Sequence, residues 1–175
     1  MELLDLYDEN RRPLGRTIER GKRLKTGEYH LVAAIWTADR DGKLLLTRRA
    51  PEKEFFPNEW ENSGGAVLAG ETSLKGAVRE LYEETGICVS EKDLILLGSC
   101  REEHLLVDTY LALIGEAEPP VTLQPGETAG FRWVTLTEYD RMAAAGKIIE
   151  PAVRQTAPLR KKMEQYITGR MISAR

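Results

Sequence analysis

Residues Gly65 to Ile87 read GAVLAGETSLKGAVRELYEETGI, and the spacing of their side chains decides the fold around them. Thr72 or Ser73 can cap a helix that runs to about Thr85, and Gly86 is a good C-terminal stop. Leu74, Ala77, Val78 and Leu81 follow the i, i+3, i+4, i+7 pattern of one buried face. At ~100° per residue, Glu80, Glu83 and Glu84 share an arc of about 100°, well over ~90° from the centre of that apolar stripe. Like charges at these spacings repel and weaken an isolated helix. A divalent cation turns the repulsion into coordination, and hard carboxylate oxygens suit Mg2+ or Mn2+. Three glutamates alone read more plainly as a solvated face, so the flanking residues must decide between the two.

Upstream, residues 1–29 join a short apolar start (Leu3, Leu4, Leu6) to a basic stretch from Arg16 to Lys25. The expectation there is a strand, a turn and an irregular or strand-like connection. HLVAAIWTA (30–38) reads as a buried strand that turns through Asp39–Gly42 into a return strand, KLLLTRR (43–49). A loop with two aromatics follows at 50–57, then a short strand at 60–62 and a glycine-rich loop at 64–70. Downstream, 94–99 and 105–114 read as strands. A Pro- and Gly-bearing loop at 119–130 leads into a strand at 131–134, and helices are expected at 137–145 and 151–171. Interleaved strands and helices define an α/β chain of one domain, with the N-terminal segment as an extension.

Composition bounds the function. The chain has 175 residues, 42% hydrophobic and 30% charged, enough for a core without disulfides. Its 25 basic and 28 acidic residues give a net charge of −3, which argues against duplex nucleic-acid binding. No apolar run approaches the ~20 residues of a membrane span, and the N-terminus has no signal-peptide core. Cys88 and Cys100 lack metal-ligand spacing and fit a reducing, cytoplasmic compartment. Two histidines, His30 and His104, are too few for a zinc cluster. The basic run Arg160, Lys161, Lys162, Arg170 and Arg175 also carries apolar residues at helical spacing, and reads as a surface helix suited to a homodimer contact.

With these elements laid out, the segment resembles the Nudix hydrolase family. Gly65, Glu71, Arg79, Glu80, Leu81, Glu83, Glu84, Gly86 and Ile87 fill every fixed position of the family box without a gap: nine constrained positions across 23 residues. The resemblance implies a loop–helix–loop motif in an α/β/α sandwich. It also implies Mg2+-dependent hydrolysis (Mn2+ being an alternative) of a nucleoside diphosphate linked to another group, or of a related small diphosphate. Carried over by position, Glu80, Glu83 and Glu84 are metal ligands, with the Gly65 carbonyl as a further one. Arg79 and Glu71 hold the loop against the helix. Clustered metal-bearing carboxylates suit attack of water on phosphorus, because charge on two phosphates must be neutralised and water activated. In some members an extra glutamate lies before a tryptophan-bearing strand. Glu127, six residues before Trp133, takes that place as general base or additional ligand, with Glu102 and Glu103 as alternatives.

Residues 30–71 also resemble the isopentenyl-diphosphate isomerase subgroup in HLVAAIW, LLLTRRAPEK and W-x-N-S. That chemistry uses a cysteine just before the box glycine and a histidine-rich metal site. Gly64, Ala66 and Arg23 stand where the cysteine and two of the histidines would be, leaving His30 alone, which is expected to be structural. Hydrolysis is therefore favoured over isomerisation, and over a non-catalytic nucleotide sensor because the carboxylate set is intact. Arg49 and Lys53 fall where isomerase-like relatives carry diphosphate-binding cations. Phe55, Phe56, Trp60 and Tyr82 are expected chiefly to pack, with base stacking as the alternative.

Overall fold

The computed structural model describes residues 2–173. A hairpin, β1 (Leu3–Tyr7) and β2 (Pro13–Glu19), precedes β3 (His30–Ala38), β4 (Leu44–Arg49), β5 (Trp60–Glu61) and β6 (Ser63–Ala66). Helix α1 (Ser73–Thr85) leads to β7 (Leu94–Glu102), β8 (Leu105–Leu113) and β9 (Thr128–Val134). Three helices follow: α2 (Leu136–Ala144), α3 (Glu150–Thr156) and α4 (Arg160–Ser173).

Strand β3 organises the main sheet. It runs parallel to β8 along its whole length, and β8 in turn pairs with β7. On its other edge β3 meets β4 only at Ala38–Leu44; further along, its Val32–Ile35 stretch pairs with β6. Strand β4 takes its own partners, β9 and β5. The sheet therefore forks after one shared pair, and the strand ends on both sides of the fork carry the residues of interest.

Both faces of this sheet are covered, which is why HLVAAIWTA is almost continuously apolar rather than alternating. Alternate residues go to opposite layers. Trp36, Leu44, Leu46 and Leu111 pack with Tyr139, Met142, Met163 and Ile167 of the later helices. Ile35, Leu45 and Tyr110 pack with Ala77 and Leu81 of α1. Trp36 Nε1 donates to Thr156 Oγ1 at 2.9 Å, so the largest buried ring has its polar atom satisfied. The result is the expected α/β/α sandwich with a mixed sheet.

The N-terminal hairpin forms a separate two-stranded sheet. It is tied on by the Tyr7–Tyr29 bridge and by the ion pairs Arg11–Asp108 (2.5 Å) and Arg16–Glu28 (2.7 Å). Its Leu3 carbonyl accepts from Ala69 N at 2.8 Å, and Asp5 accepts from Gly70 N at 2.8 Å, which holds it against the loop before α1.

Three local expectations are corrected. Residues 63–66 are a strand, so the glycine loop begins later than expected. Strand β9 starts at Thr128, inside the expected 119–130 loop. The helix expected over 151–171 is interrupted by a 3-10 turn at Ala157–Leu159, because Pro158 has no N–H to continue an α-helix. Arg160 pairs with Asp140 (2.9 Å), and Lys162 donates to the Leu97 carbonyl (2.7 Å), while Met163 and Ile167 are core residues. Arg175 lies outside the described residues.

Gly64 has a steric reason. A Cβ there would lie 2.5 Å from the Ala33 carbonyl oxygen, on rigid paired backbone. Gly64→Ala should cost about 1–3 kcal/mol as an overpacked site. A melting temperature lowered by several degrees is the expected readout, and an unchanged one would show that the β3–β6 pairing has slack.

Candidate active site

Helix α1 is built from local signals that agree. Thr72 Oγ1 accepts from Lys75 N at 3.2 Å, and Gly86 ends the helix at φ 71° with its N–H on the Tyr82 carbonyl. Ala77 and Leu81 are fully buried. Its charge pattern runs against helix physics: no acid lies in the first turn, no base in the last, and Glu83 and Glu84 sit at the negative end of the helix dipole. Acids placed there oppose helix stability and call for another rationale.

Arg79 is the centre of the polar network. Its Nε and Nη2 grip the two oxygens of Glu71, both at 3.0 Å, and Nη2 also reaches the Ala66 carbonyl at 3.0 Å. Glu71 additionally accepts from Leu68 N at 3.0 Å. The loop is thereby clamped to the helix, and the guanidinium holds the Glu71 carboxyl below its ordinary range. The Nη1 atom of Arg79 also contacts Glu80 at 2.8 Å and Glu83 at 3.1 Å.

Glu80 lies on Gly65: a Cβ at that position would come within 2.4 Å of its carboxylate. Glycine here makes the cradle for a side chain rather than a turn. Glu84, half-buried, accepts from Gly64 N at 3.3 Å. Burial and the charges of Glu61 and Glu80 push its carboxyl well above the ordinary range.

One polar cavity of about 250 Å³ gathers Glu80, Glu83, Glu84, Glu127, Arg49 and Lys53. These are six of the residues singled out in the sequence, brought from β4, α1 and two loops. Arg49 Nη1 bonds both oxygens of Glu61 at 3.0 Å, and Lys53 pairs with Glu127. Glu102 is elsewhere: Arg154 and Gln155 bind it, and with Glu103 it lines a different cleft. Glu71, Arg79 and Gly86 are not part of the polar cavity's lining: the first two join the loop to α1, and the third ends that helix.

Sequence reasoning missed Glu61, Arg20, Glu2 and Gln124, which also line the cavity. Glu61 had one signal, an acid inside a strand beside Trp60. Burial pushes its carboxyl up, opposed by Arg49. Phe55, Phe56 and Tyr82 are exposed rather than packed, whereas Trp60 packs on the core and carries the guanidinium of Arg132 at 5.2 Å from its ring centre.

Glu80, Glu83 and Glu84 are the donors on which the expected cation would draw. As the side chains lie, Arg79 draws on Glu80 and Glu83, and among the described residues no three acidic, thiol or imidazole groups form a ready ion cage. Glu84 nevertheless faces two other carboxylates and takes its hydrogen bonds from Gly64 N and Ser63. Carboxylate oxygens with open positions are the chemistry of Mg2+ and Mn2+.

A mixed sheet between helical layers, with a glycine strand and a glutamate helix meeting at its forked end, is the Nudix fold. The family model described as "NUDIX domain" matches residues 28–154. An uncharacterized Nudix hydrolase of Listeria monocytogenes is 35% identical over 150 residues, covering 85% of this chain and 89% of that one. An isopentenyl-diphosphate Delta-isomerase of Streptomyces griseus is 32% identical over 147 residues, covering 78% and 74%. The crystal structure of DR0079 from Deinococcus radiodurans superposes with a TM-score of 0.72 at 25% identity, covering 91% and 98%. The chain belongs to the Nudix hydrolase family.

Proposed function

We propose that the protein is a Mg2+- or Mn2+-dependent pyrophosphohydrolase that cleaves the anhydride of a nucleoside diphosphate derivative or a related small diphosphate. The observation that carries this is Glu84, a half-buried carboxylate set against Glu61 and Glu80 in a cavity that also holds Arg49 and Lys53. Such a site wants positive charge on one side and an anion on the other.

Glu80, Glu83 and Glu84, with the Gly65 carbonyl, would hold the cation. When bound, it would neutralise phosphate charge and lower the pKa of water. Arg49 and Lys53 exchange their present partners, Glu61 and Glu127, for phosphate oxygens. Release of Lys53 frees Glu127 to take the proton from the attacking water. Water adds to phosphorus, the bridging P–O bond breaks, and two phosphate products and one proton leave. Arg79 and Glu71 keep the loop and helix in register throughout.

Phosphate release from a panel of diphosphates should require Mg2+ or Mn2+ and fall at least about 100-fold in EDTA. Turnover that persists in the chelator would remove the proposal, and tight nucleotide binding without turnover would favour the sensor. The isomerase chemistry has no support in these residues, since the position it needs for cysteine is Gly64, pressed against Ala33.

A further inference from the structure

A second cavity, of about 260 Å³, adjoins the acidic one. It lies between the N-terminal hairpin and the main sheet, and the two cavities share Arg20. Leu4, Ile18, Leu24, Val32 and Ala66 give it a chiefly apolar surface, with Glu19 and Lys22 of the hairpin end also on its lining. Gly65, on which Glu80 lies, is also part of the lining.

We infer that this cavity receives the organic group of the substrate, and that the group is a short alkyl or alkenyl chain esterified to the diphosphate. The inference rests on the proposed hydrolase activity and deepens it. Three observations support it. At about 260 Å³, beside a separate polar cavity of about 250 Å³ for the diphosphate, it has room for one small organic group. No Phe, Tyr or Trp among the described residues lines it, so a base would find no stacking platform of the kind worth ~1–3 kcal/mol. Its imidazole, His30, is held neutral by burial and turns Nδ1 to the Leu31 carbonyl at 3.2 Å, which adds no charge to the wall.

Arg20 explains how the two cavities work together. It projects from the end of the hairpin, and its guanidinium now pairs with Glu2 at 2.7 Å at the mouth of the acidic site. A diphosphate seated among Arg49, Lys53 and the glutamates would offer Arg20 its ester-side oxygens, and the chain beyond them would enter the apolar cavity. Water then adds to the terminal phosphorus as the bridging P–O bond breaks. The products are an alkyl monophosphate, inorganic phosphate and a proton.

The test compares three probes by phosphate release with Mg2+: a five-carbon alkenyl diphosphate, methyl diphosphate and ADP. The five-carbon compound should show a kcat/KM at least ten-fold above both others. Leu24→Trp, which fills the cavity, and Ile18→Asp, which makes it polar, should each reduce the alkenyl-to-methyl ratio of kcat/KM at least ten-fold, mainly through KM. Arg20→Ala should lower kcat/KM for all three. Two variants on different segments, with melting curves beside them, guard against misfolding. A preference for ADP, or an unchanged ratio in both variants, overturns the assignment of this cavity while leaving the hydrolase intact. Absence of turnover with every diphosphate overturns both.

Discussion

Glu84→Gln is expected to lose at least about 100-fold in kcat with Mg2+ while melting slightly higher than the parent. Loss of outer-shell partners of metal sites already costs ~10–100-fold, so loss of a ligand charge should cost no less. The stability sign follows from the surroundings. In the folded protein Glu84 is half-buried and faces Glu61 and Glu80, and it sits in the last turn of α1 against the dipole. Those effects raise its carboxyl, so its charge opposes folding near neutral pH. The amide removes the charge and can still accept from Gly64 N. A gain of about 1 kcal/mol would lift the melting temperature by roughly 2–4 °C for a chain this size. Mn2+ binding followed by titration calorimetry should weaken in parallel. Full activity, or a clear fall in melting temperature with activity kept, would take Glu84 out of the site.

Arg79→Ala should be the most damaging single change to the scaffold. One side chain, about one-fifth exposed, holds Glu71 by two bonds, the Ala66 carbonyl by a third, and Glu80 and Glu83 besides. Breaking a well-buried pair costs ~3–5 kcal/mol, and the partial exposure here reduces that to about 2–3. The melting temperature should fall by roughly 4–12 °C. Activity should drop as well, because Glu80 loses its orientation on Gly65. Arg79→Lys should not restore either quantity, since an ammonium cannot make the forked contact to Glu71. A variant that keeps its melting point would show that the loop is held by backbone bonds alone.

The fold was legible where local and global signals coincide. The cap at Thr72, the stripe through Ala77 and Leu81 and the stop at Gly86 all specify α1, and tertiary packing agrees with them. The apolar run 30–38 announced a strand buried on both sides. Strand β6 was not legible, because Gly64 and Gly65 have poor intrinsic strand preference and are strand only through pairing with β3. The single helix expected over 151–171 passed over Pro158, whose missing N–H breaks it. Of the candidate site, the helix glutamates, Arg49, Lys53 and Glu127 were readable from the family pattern. Glu61 and Arg20 reach the same cavity only through the fork of the sheet and the placement of the hairpin, which no spacing along the chain encodes.

The hairpin's independence from the main sheet has an evolutionary reading. One wall of the apolar cavity rests on a hairpin that forms its own two-stranded sheet and is anchored by the buried Leu4 and Leu6, one bridge and a few polar ties, whereas the glutamates belong to the central scaffold. If that cavity receives the organic group as proposed, selectivity and reactivity can diverge separately. Grafting another family member's first two dozen residues onto this sheet would be a direct way to swap what is recognised without rebuilding what reacts.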